Sequence, residues 1–256
     1  MAFKPFFFGL LLVFFFGCKE PHLYLTKIEG KQISISDSLS TNNEIEAFIK
    51  PYRSHIQKDL DSVLAYSAGT YTKSDGDFNT AIGNFMADAV FDEANPIFKK
   101  RTGKNIDMVL LNHGGIRSIM SKGNVTTRTA FELMPFENTL LVVEMKGTQM
   151  DSLIAYLSKS KKAHPISKLK LIIDTNFNVV EATINGKNIE DNNTYYVATN
   201  DYLFNGGDNM TFFKPNNSVH DLNYKIRNAL IDHFKKVDTI SPVRDDRFIQ
   251  KTTKNN

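Results

Sequence analysis

LKLIIDTNFNVVEATINGKNIEDNNTYYVAT, residues 169–199, decides between the two ways of mixing helices and strands. Leu169–Ile173 and Val179–Ile184 are short runs rich in β-branched and aliphatic residues, the composition of strands. Asn185-Gly186 follows at once. Both central residues of a two-residue hairpin turn need positive φ, and Asn-Gly meets that need better than almost any other pair. Tyr195–Thr199 is a further strand. A tight hairpin makes its strands antiparallel, which favours a mixed sheet over a doubly wound parallel one. The expected fold class is α+β, a mixed β-sheet with packed helices in a single domain.

Working outward, Met108–Leu111 reads as a buried strand that runs into Asn112-His113-Gly114-Gly115. Leu140–Met145 reads as another, closed by Gly147, with Thr148 as cap of a helix carrying Met150, Leu153, Ile154 and Leu157. A helix is expected from Ala81 to about Lys99, capped by Asn79 or Asp77, with Phe85, Ala89, Val90 and Phe91 facing the core. A last helix is expected over Leu222–Phe234, because Leu222, Ile226, Leu230 and Phe234 recur at four-residue steps. Ile45, Phe48, Tyr52, Ile56, Leu60 and Val63 likewise mark one face of a helix over 44–65, with Pro51 kinking it or marking its first turn. Residues 66–250 form the main domain, and 251–256 a loose polar tail.

The beginning of the chain reads differently. Lys4 precedes an apolar run, Phe6 to Phe16, too short to span a bilayer and of the length of a signal segment. Gly17 and Cys18 follow, and Cys18 is the sole cysteine of the 256 residues. The arrangement resembles a bacterial lipobox. That resemblance implies a signal peptide over 1–18, lipid on Cys18, and an exported chain anchored at the cell envelope, on the outer membrane of a diderm host. An ordinary secretory signal with a chance cysteine is the plainer alternative. Residues 19–43 read as a tether with one or two short strands around Gly30. The net charge of +3 is small, and no basic stripe interleaved with aromatics is present, which argues against nucleic-acid polymers as partners.

Three stretches carry chemistry. Asn112-His113-Gly114-Gly115-Ile116-Arg117 sets paired glycines and a planar cation after a strand. Met134-Pro135-Phe136-Glu137-Asn138-Thr139 presents an aromatic at a strand mouth. Thr199 to Asp208 puts Tyr202 six residues ahead of Asp208, on the glycine loop Asn205-Gly206-Gly207-Asp208. Taken singly, each is commonly a turn, a packing contact or a solvated charge. Together they assemble a nucleotide site: two aromatics for a base, an acid for ribose hydroxyls, an arginine for phosphate.

Gly83-Asn84-Phe85-Met86-Ala87-Asp88-Ala89 and these three stretches, in this order, resemble the 5′-nucleotidase C-terminal domain over nearly the whole chain after the tether. The resemblance implies that Phe136 and Tyr202 stack on the two faces of the base and that Asp208 binds ribose. It puts Asn112 near base and ribose and Arg117 near phosphate. Gly114, Gly115, Gly206 and Gly207 allow close approach, and Asn205 belongs to the same substrate-binding set. The helix over 44–65 resembles that family's connector. Two departures stand out. Ser74–Asn79 lacks the arginine the family usually carries there and holds Asp75 and Asp77 instead, leaving Lys73 as a candidate cation. His113 stands where glycine is common.

Hydrolysis in full-length members uses two metals, held by motifs such as Asp-x-His and Gly-Asn-His-Glu, and neither occurs in this sequence. The histidines are scattered singly. The chain is therefore expected to carry no catalytic residue, no metal and no cofactor of its own. Divalent metals are expected on a partner metallophosphatase chain, with a nucleotide or nucleoside as ligand and the membrane reached through Cys18. The alternative is a non-catalytic nucleoside- or nucleotide-binding lipoprotein.

Overall fold

A computed structural model describes residues 24–36 and 38–251. The signal segment, Cys18 and the tail beyond residue 251 lie outside the described residues. The chain divides into two units, residues 1–48 and 49–256. In the first, residues 24–36 form no strand, and Leu25, Ile28, Ile33 and Ile35 are exposed. The expected strands around Gly30 are absent because alternation needs a neighbouring backbone to pair with, and no strand of the described residues pairs with this segment.

Helix α1 spans Asn43–Leu60. Asn42 starts it, its Oδ1 accepting from the N–H groups of Glu44 and Ile45 at 3.0 and 3.2 Å. The expected helix over 44–65 is too long. Val63 leaves its face to open strand β1 (Val63–Ser67), where it pairs with Thr126. Pro51 stands in the interior of α1, not at its first turn, and none of the helix's side chains is buried.

Helix α2 (Ala81–Thr102) starts at a different cap from the one expected. Thr80 Oγ1 accepts from Gly83 N–H at 3.1 Å, and Gly103, at φ 75°, ends the helix. Asn79 is not free to cap, because its Oδ1 accepts from Asn84 Nδ2 at 3.0 Å and from Asp245 N–H at 3.4 Å, while its Nδ2 donates to the carbonyls of Phe248 and Asp245 at 2.9 and 3.1 Å. Strand β2 (Met108–Leu110) follows, then β3 (Gly123–Thr126) and α3 (Thr127–Leu133). Strand β4 (Thr139–Lys146) leads directly into α4 (Gly147–Ser160). Thr148 lies inside that helix and does not cap it; Gly147 begins it, where a Cβ would run into the Glu190 carbonyl.

Strands β5 (Ile166–Ser167), β6 (Leu169–Ile173), β7 (Val179–Ile184) and β8 (Lys187–Asn188) come next. The hairpin between β7 and β8 turns on Asn185 and Gly186, at φ 51° and 74°, as the dipeptide demands. Strand β9 (Thr194–Asn200) precedes the short helix α5 (Asp201–Phe204). The expected last helix splits in two: β10 (Ser218–Lys225), then α6 (Ile226–Phe234). Leu222 is buried from a strand, not from the helix face that its spacing suggested. The pairing of β10 with β4 shifts register between Asp221 and Lys225, around Asn223 at φ 48°, and that irregularity hides the strand's two-residue period. Strands β11 (Thr239–Ile240) and β12 (Phe248–Gln250) complete the set.

The strands make three sheets, ordered β11-β1-β3, β10-β4-β9-β2-β5 and β12-β6-β7-β8. Each mixes parallel and antiparallel pairs, so the α+β class with mixed sheets holds. The five-stranded sheet is covered on both faces. Val109, Val142 and Ala198 face one core with α2 and α6; Met108, Leu110, Val143 and Val197 face the other with α4 and β6. Burial on both sides explains why β2, β4 and β9 read as nearly unbroken apolar runs.

That sheet also explains why distant motifs meet. β2 and β9 are parallel, with Val109 opposite Ala198, so both end at one edge. β4 is antiparallel to β9, with Leu140 opposite Asn200, so β4 begins at that same edge. The residues just after β2, just after β9 and just before β4 are the three chemical stretches.

Candidate functional site

At this edge a cleft of about 280 Å³ is lined by Asn112, Gly114, Gly115, Arg117, Phe136, Asn138, Tyr202 and Asp208. Its size suits a compact small molecule. Of the residues expected from sequence, Asn112, Gly114, Gly115, Arg117, Phe136, Tyr202 and Asp208 are brought together. Asn205, Gly206 and Gly207 are not among the lining residues. Asn205 Oδ1 accepts from Lys214 Nζ at 3.2 Å. Gly206, at φ 92°, makes the left-handed turn that re-aims the chain. Gly207 leaves room for Tyr202, because a Cβ there would penetrate the phenol ring. The closeness it permits is between the ring and the backbone, not between backbone and ligand.

Asp208 is the organising group. Its backbone is left-handed, φ 52° and ψ 24°, which costs a residue with a side chain about 1 kcal/mol. Three donors hold it there. Tyr156 Oη donates to its carbonyl at 2.8 Å, Asn112 Nδ2 to Oδ2 at 2.9 Å and Tyr202 Oη to Oδ1 at 3.1 Å. The carboxylate fixes which way Asn112 points, since it must receive the amide N–H. Asn112 Oδ1 is left buried with no donor among the described residues. A buried acceptor without a partner costs about 1–3 kcal/mol, so it favours a ligand donor at this spot. A Cβ on Gly115 would sit 3.0 Å from that same oxygen, and one on Gly114 would sit 3.2 Å from Asn112 Nδ2. The glycines keep the space over the Asn112–Asp208 pair open.

Phe136 and Tyr202 are the exposed aromatic walls, at 41% and 46% exposure. The Arg117 guanidinium lies 5.6 Å from the Phe136 ring centroid, and its Nη1 donates to Gly114 O at 3.4 Å. Lys73, just before the segment lacking an arginine, donates from Nζ to Ile116 O at 3.0 Å, one residue from Arg117. Asp75 and Asp77 belong to a different neighbourhood: the Asp75 carbonyl accepts from Arg244 at 2.6 Å, and Asp77 lines a groove that includes Arg244.

His113 does not line the cleft. Its backbone N–H donates to His164 Nδ1 and its own Nδ1 meets Ala163 O, each at 3.3 Å. Burial pushes the His113 imidazole below its usual pKa, opposed by its hydrogen bond to the Ala163 carbonyl and more weakly by Asp208, with Lys73 and Lys162 adding to the lowering. Burial holds His164 at about 4 despite the Asp208 carboxylate.

The stretch Gly83–Ala89 has no place in the cleft. Asn84 Nδ2 donates to Asn79 Oδ1 and Val243 O, both at 3.0 Å. Asp88 takes Arg247 in a two-pronged pair at 2.9 and 3.0 Å and receives the Ser167 hydroxyl at 2.6 Å. This is a clasp that ties the segment around 243–248 to α2. Sequence reasoning missed Asn138 as a lining residue, though it stands in a quoted stretch, and Tyr156, whose hydroxyl holds Asp208. Tyr156 lies between core positions of α4, and nothing in its spacing signals the role.

Among the described residues, no three His, Cys, Asp or Glu side chains converge as metal ligands. The residues present do not fit a two-metal centre. No helix of the described residues is long and apolar enough to cross a membrane.

The model of the family "5′-nucleotidase, C-terminal domain" matches residues 62–215, more than half of the chain. The chain belongs to this family. The chain is 28% identical over 205 residues to the cell wall protein Lmo0130 of Listeria monocytogenes, covering 71% of this chain and 26% of that one. It is 29% identical over 184 residues to the trifunctional nucleotide phosphoesterase protein YfkN of Bacillus subtilis, covering 66% of this chain and 12% of that one. The chain thus spans about a quarter and about an eighth of these relatives' lengths. The 5′-nucleotidase precursor from Thermus thermophilus has the same fold, with a TM-score of 0.67 at 21% identity, over 80% of this chain and 42% of that one.

Proposed function

We propose that the cleft binds the base and ribose of a nucleotide or nucleoside, as the substrate-binding part of a 5′-nucleotidase-type phosphohydrolase system. The observation that carries this is the joint placement of Phe136, Tyr202 and the Asn112–Asp208 pair, with the unpartnered Asn112 Oδ1, around one small cleft. Each aromatic face would add about 0.5–1.5 kcal/mol to binding beyond area burial. Asp208 would accept from ribose hydroxyls, and Asn112 Oδ1 would receive a ligand N–H or O–H. Arg117, with Lys73 close behind it, would face the phosphate. Relatives named as a nucleotide phosphoesterase and as 5′-nucleotidases support the ligand class. The metal-bearing hydrolytic unit would be a metallophosphatase partner. A cell wall relative and the Cys18 lipobox support an envelope location with lipid on Cys18.

A non-catalytic nucleoside- or nucleotide-binding lipoprotein is the second reading. The absence of arginine from 74–79 favours it, since the base and ribose residues remain while the phosphate side is thinned. Calorimetric titration of the chain without its signal, with AMP and with adenosine, tests both. Binding weakened about tenfold by Phe136→Ala is the expected result, and AMP preferred over adenosine supports the hydrolase system. Adenosine bound as tightly as AMP supports the second reading. Binding of neither sinks the nucleotide site.

A further inference from the structure

Phe136 is exposed, yet the chain on both sides of it is tied to one guanidinium. Arg227 lies in the first turn of α6 with its side chain only 7% exposed. Its Nη1 donates to Pro135 O at 3.1 Å, and its Nη2 pairs with the Glu137 carboxylate, whose other oxygen takes Lys225 Nζ. Its guanidinium carbon lies 4.1 Å from the Phe131 ring centroid. The neighbouring Ile226 N–H donates to Asn138 O at 3.1 Å, and Arg117 N–H to Leu133 O at 3.0 Å. The backbone is held before and after residue 136, and Phe136 is what the loop projects into the cleft.

Arg227 is an expensive choice for this position. A buried guanidinium loses its hydration and is often replaced without loss by an apolar side chain of similar volume. At a helix N-terminus it also faces the positive end of the dipole. Burial lowers its pKa, and its Nε is buried without an acceptor among the described residues. An apolar side chain could pack on Phe131, but could not grip Pro135 and Glu137 at once. We propose that Arg227 is a positioning residue for the aromatic wall: it presets Phe136, so that a planar ligand binds without first ordering the loop. The ligand's identity rests on the nucleotide reading above; the positioning role does not.

The chain contains no tryptophan, so Phe136→Trp makes a single indole at the tip of the loop. Its fluorescence anisotropy is expected to fall when Arg227→Met is added, while an indole placed on the opposite wall by Tyr202→Trp stays unchanged. An unchanged indole at 136, or an equal fall at both walls, overturns the proposal. Should Arg227→Met fail to fold, Arg227→Lys, which keeps the charge but loses the two-pronged grip on Pro135 O and Glu137, is expected to give a smaller fall at 136 alone, and no fall there overturns the proposal in the same way. With AMP as probe, Arg227→Met is expected to weaken binding about tenfold in the unmodified chain and less than about twofold in a Phe136→Ala background. Equal weakening in both backgrounds shows that Arg227 does not act through Phe136. If the unmodified chain binds no AMP, the nucleotide reading fails, and the indole measurements still decide on Arg227.

Discussion

The stretch around Asn84 and the stretch around Asn112 each set an asparagine close to glycine in the sequence. In the structure they do opposite things. Asn84, Asp88 and Asn79 find partners within the chain, including Arg247, Ser167 and the carbonyls of Val243 and Phe248. Asn112 finds one partner, Asp208, and its oxygen is left buried and unanswered beside two exposed aromatics. A closed polar network holds the fold together; one left open by a single acceptor is shaped for something else.

Substitutions on the two sides should therefore separate stability from binding. Asn84→Ala is expected to have the largest effect on the fold. It leaves Val243 O without the Asn84 donor and Asn79 Oδ1 with only the 3.4 Å bond from Asp245 N–H, and should lower unfolding free energy by about 3 kcal/mol in urea titration. A variant as stable as the parent would break the contrast. Next comes pH. His164 is held at about 4, below its unfolded value, so the unfolded chain binds the proton first as pH falls. Its contribution is complete above about pH 6.5 and drains away towards about pH 4, a loss of about 3 kcal/mol at most. His164→Gln should flatten that part of the stability profile, and a profile of unchanged slope would remove His164 as its cause.

On the open side, Phe136→Ala should change stability by less than about 0.5 kcal/mol while weakening AMP about tenfold, read by urea titration and calorimetry. Asp88→Ala should do the reverse, lowering stability by about 2 kcal/mol and leaving the dissociation constant unchanged. Gly115→Ala should affect the fold less than Asp88→Ala does. Its Cβ would lie 3.0 Å from Asn112 Oδ1 and 3.1 Å from Met134 Cε, so a stability cost of about 1 kcal/mol is expected, with AMP weakened several-fold more than by any strain alone. Equal binding by this variant would mean that no ligand atom occupies the space over Asn112.

The parts of the fold that were legible are those whose local chemistry and tertiary role agree. Leu169–Ile173, Val179–Ile184 and the Asn185-Gly186 turn stand where β-branched runs and a positive-φ dipeptide put them. Leu222 misled because a bulged strand entering a helix kept a four-residue step to Ile226 by coincidence. Ile166–Ser167 and Thr239–Ile240 are too short to show any period, and form only because a neighbouring strand is already in place. At the site, the motif residues that line the cleft were readable as residue types. The role of Gly207 was not, since only the folded loop shows that Tyr202 lies against it. Arg227 was invisible for the same reason, because its partners lie some ninety residues away.

The pairing of β4 with β9 runs unbroken from Leu140 opposite Asn200 to Lys146 opposite Thr194. It works as a gauge for the cleft, since Phe136 hangs four residues before one end of this ladder and Tyr202 two residues after the other strand's end. A slip of one residue would displace one wall by about 3.3 Å and turn every side chain of the moved strand to the opposite core. The spacing of the two walls is thus inherited from the interior, and a chain that has packed its sheet correctly has already measured out the room for its ligand.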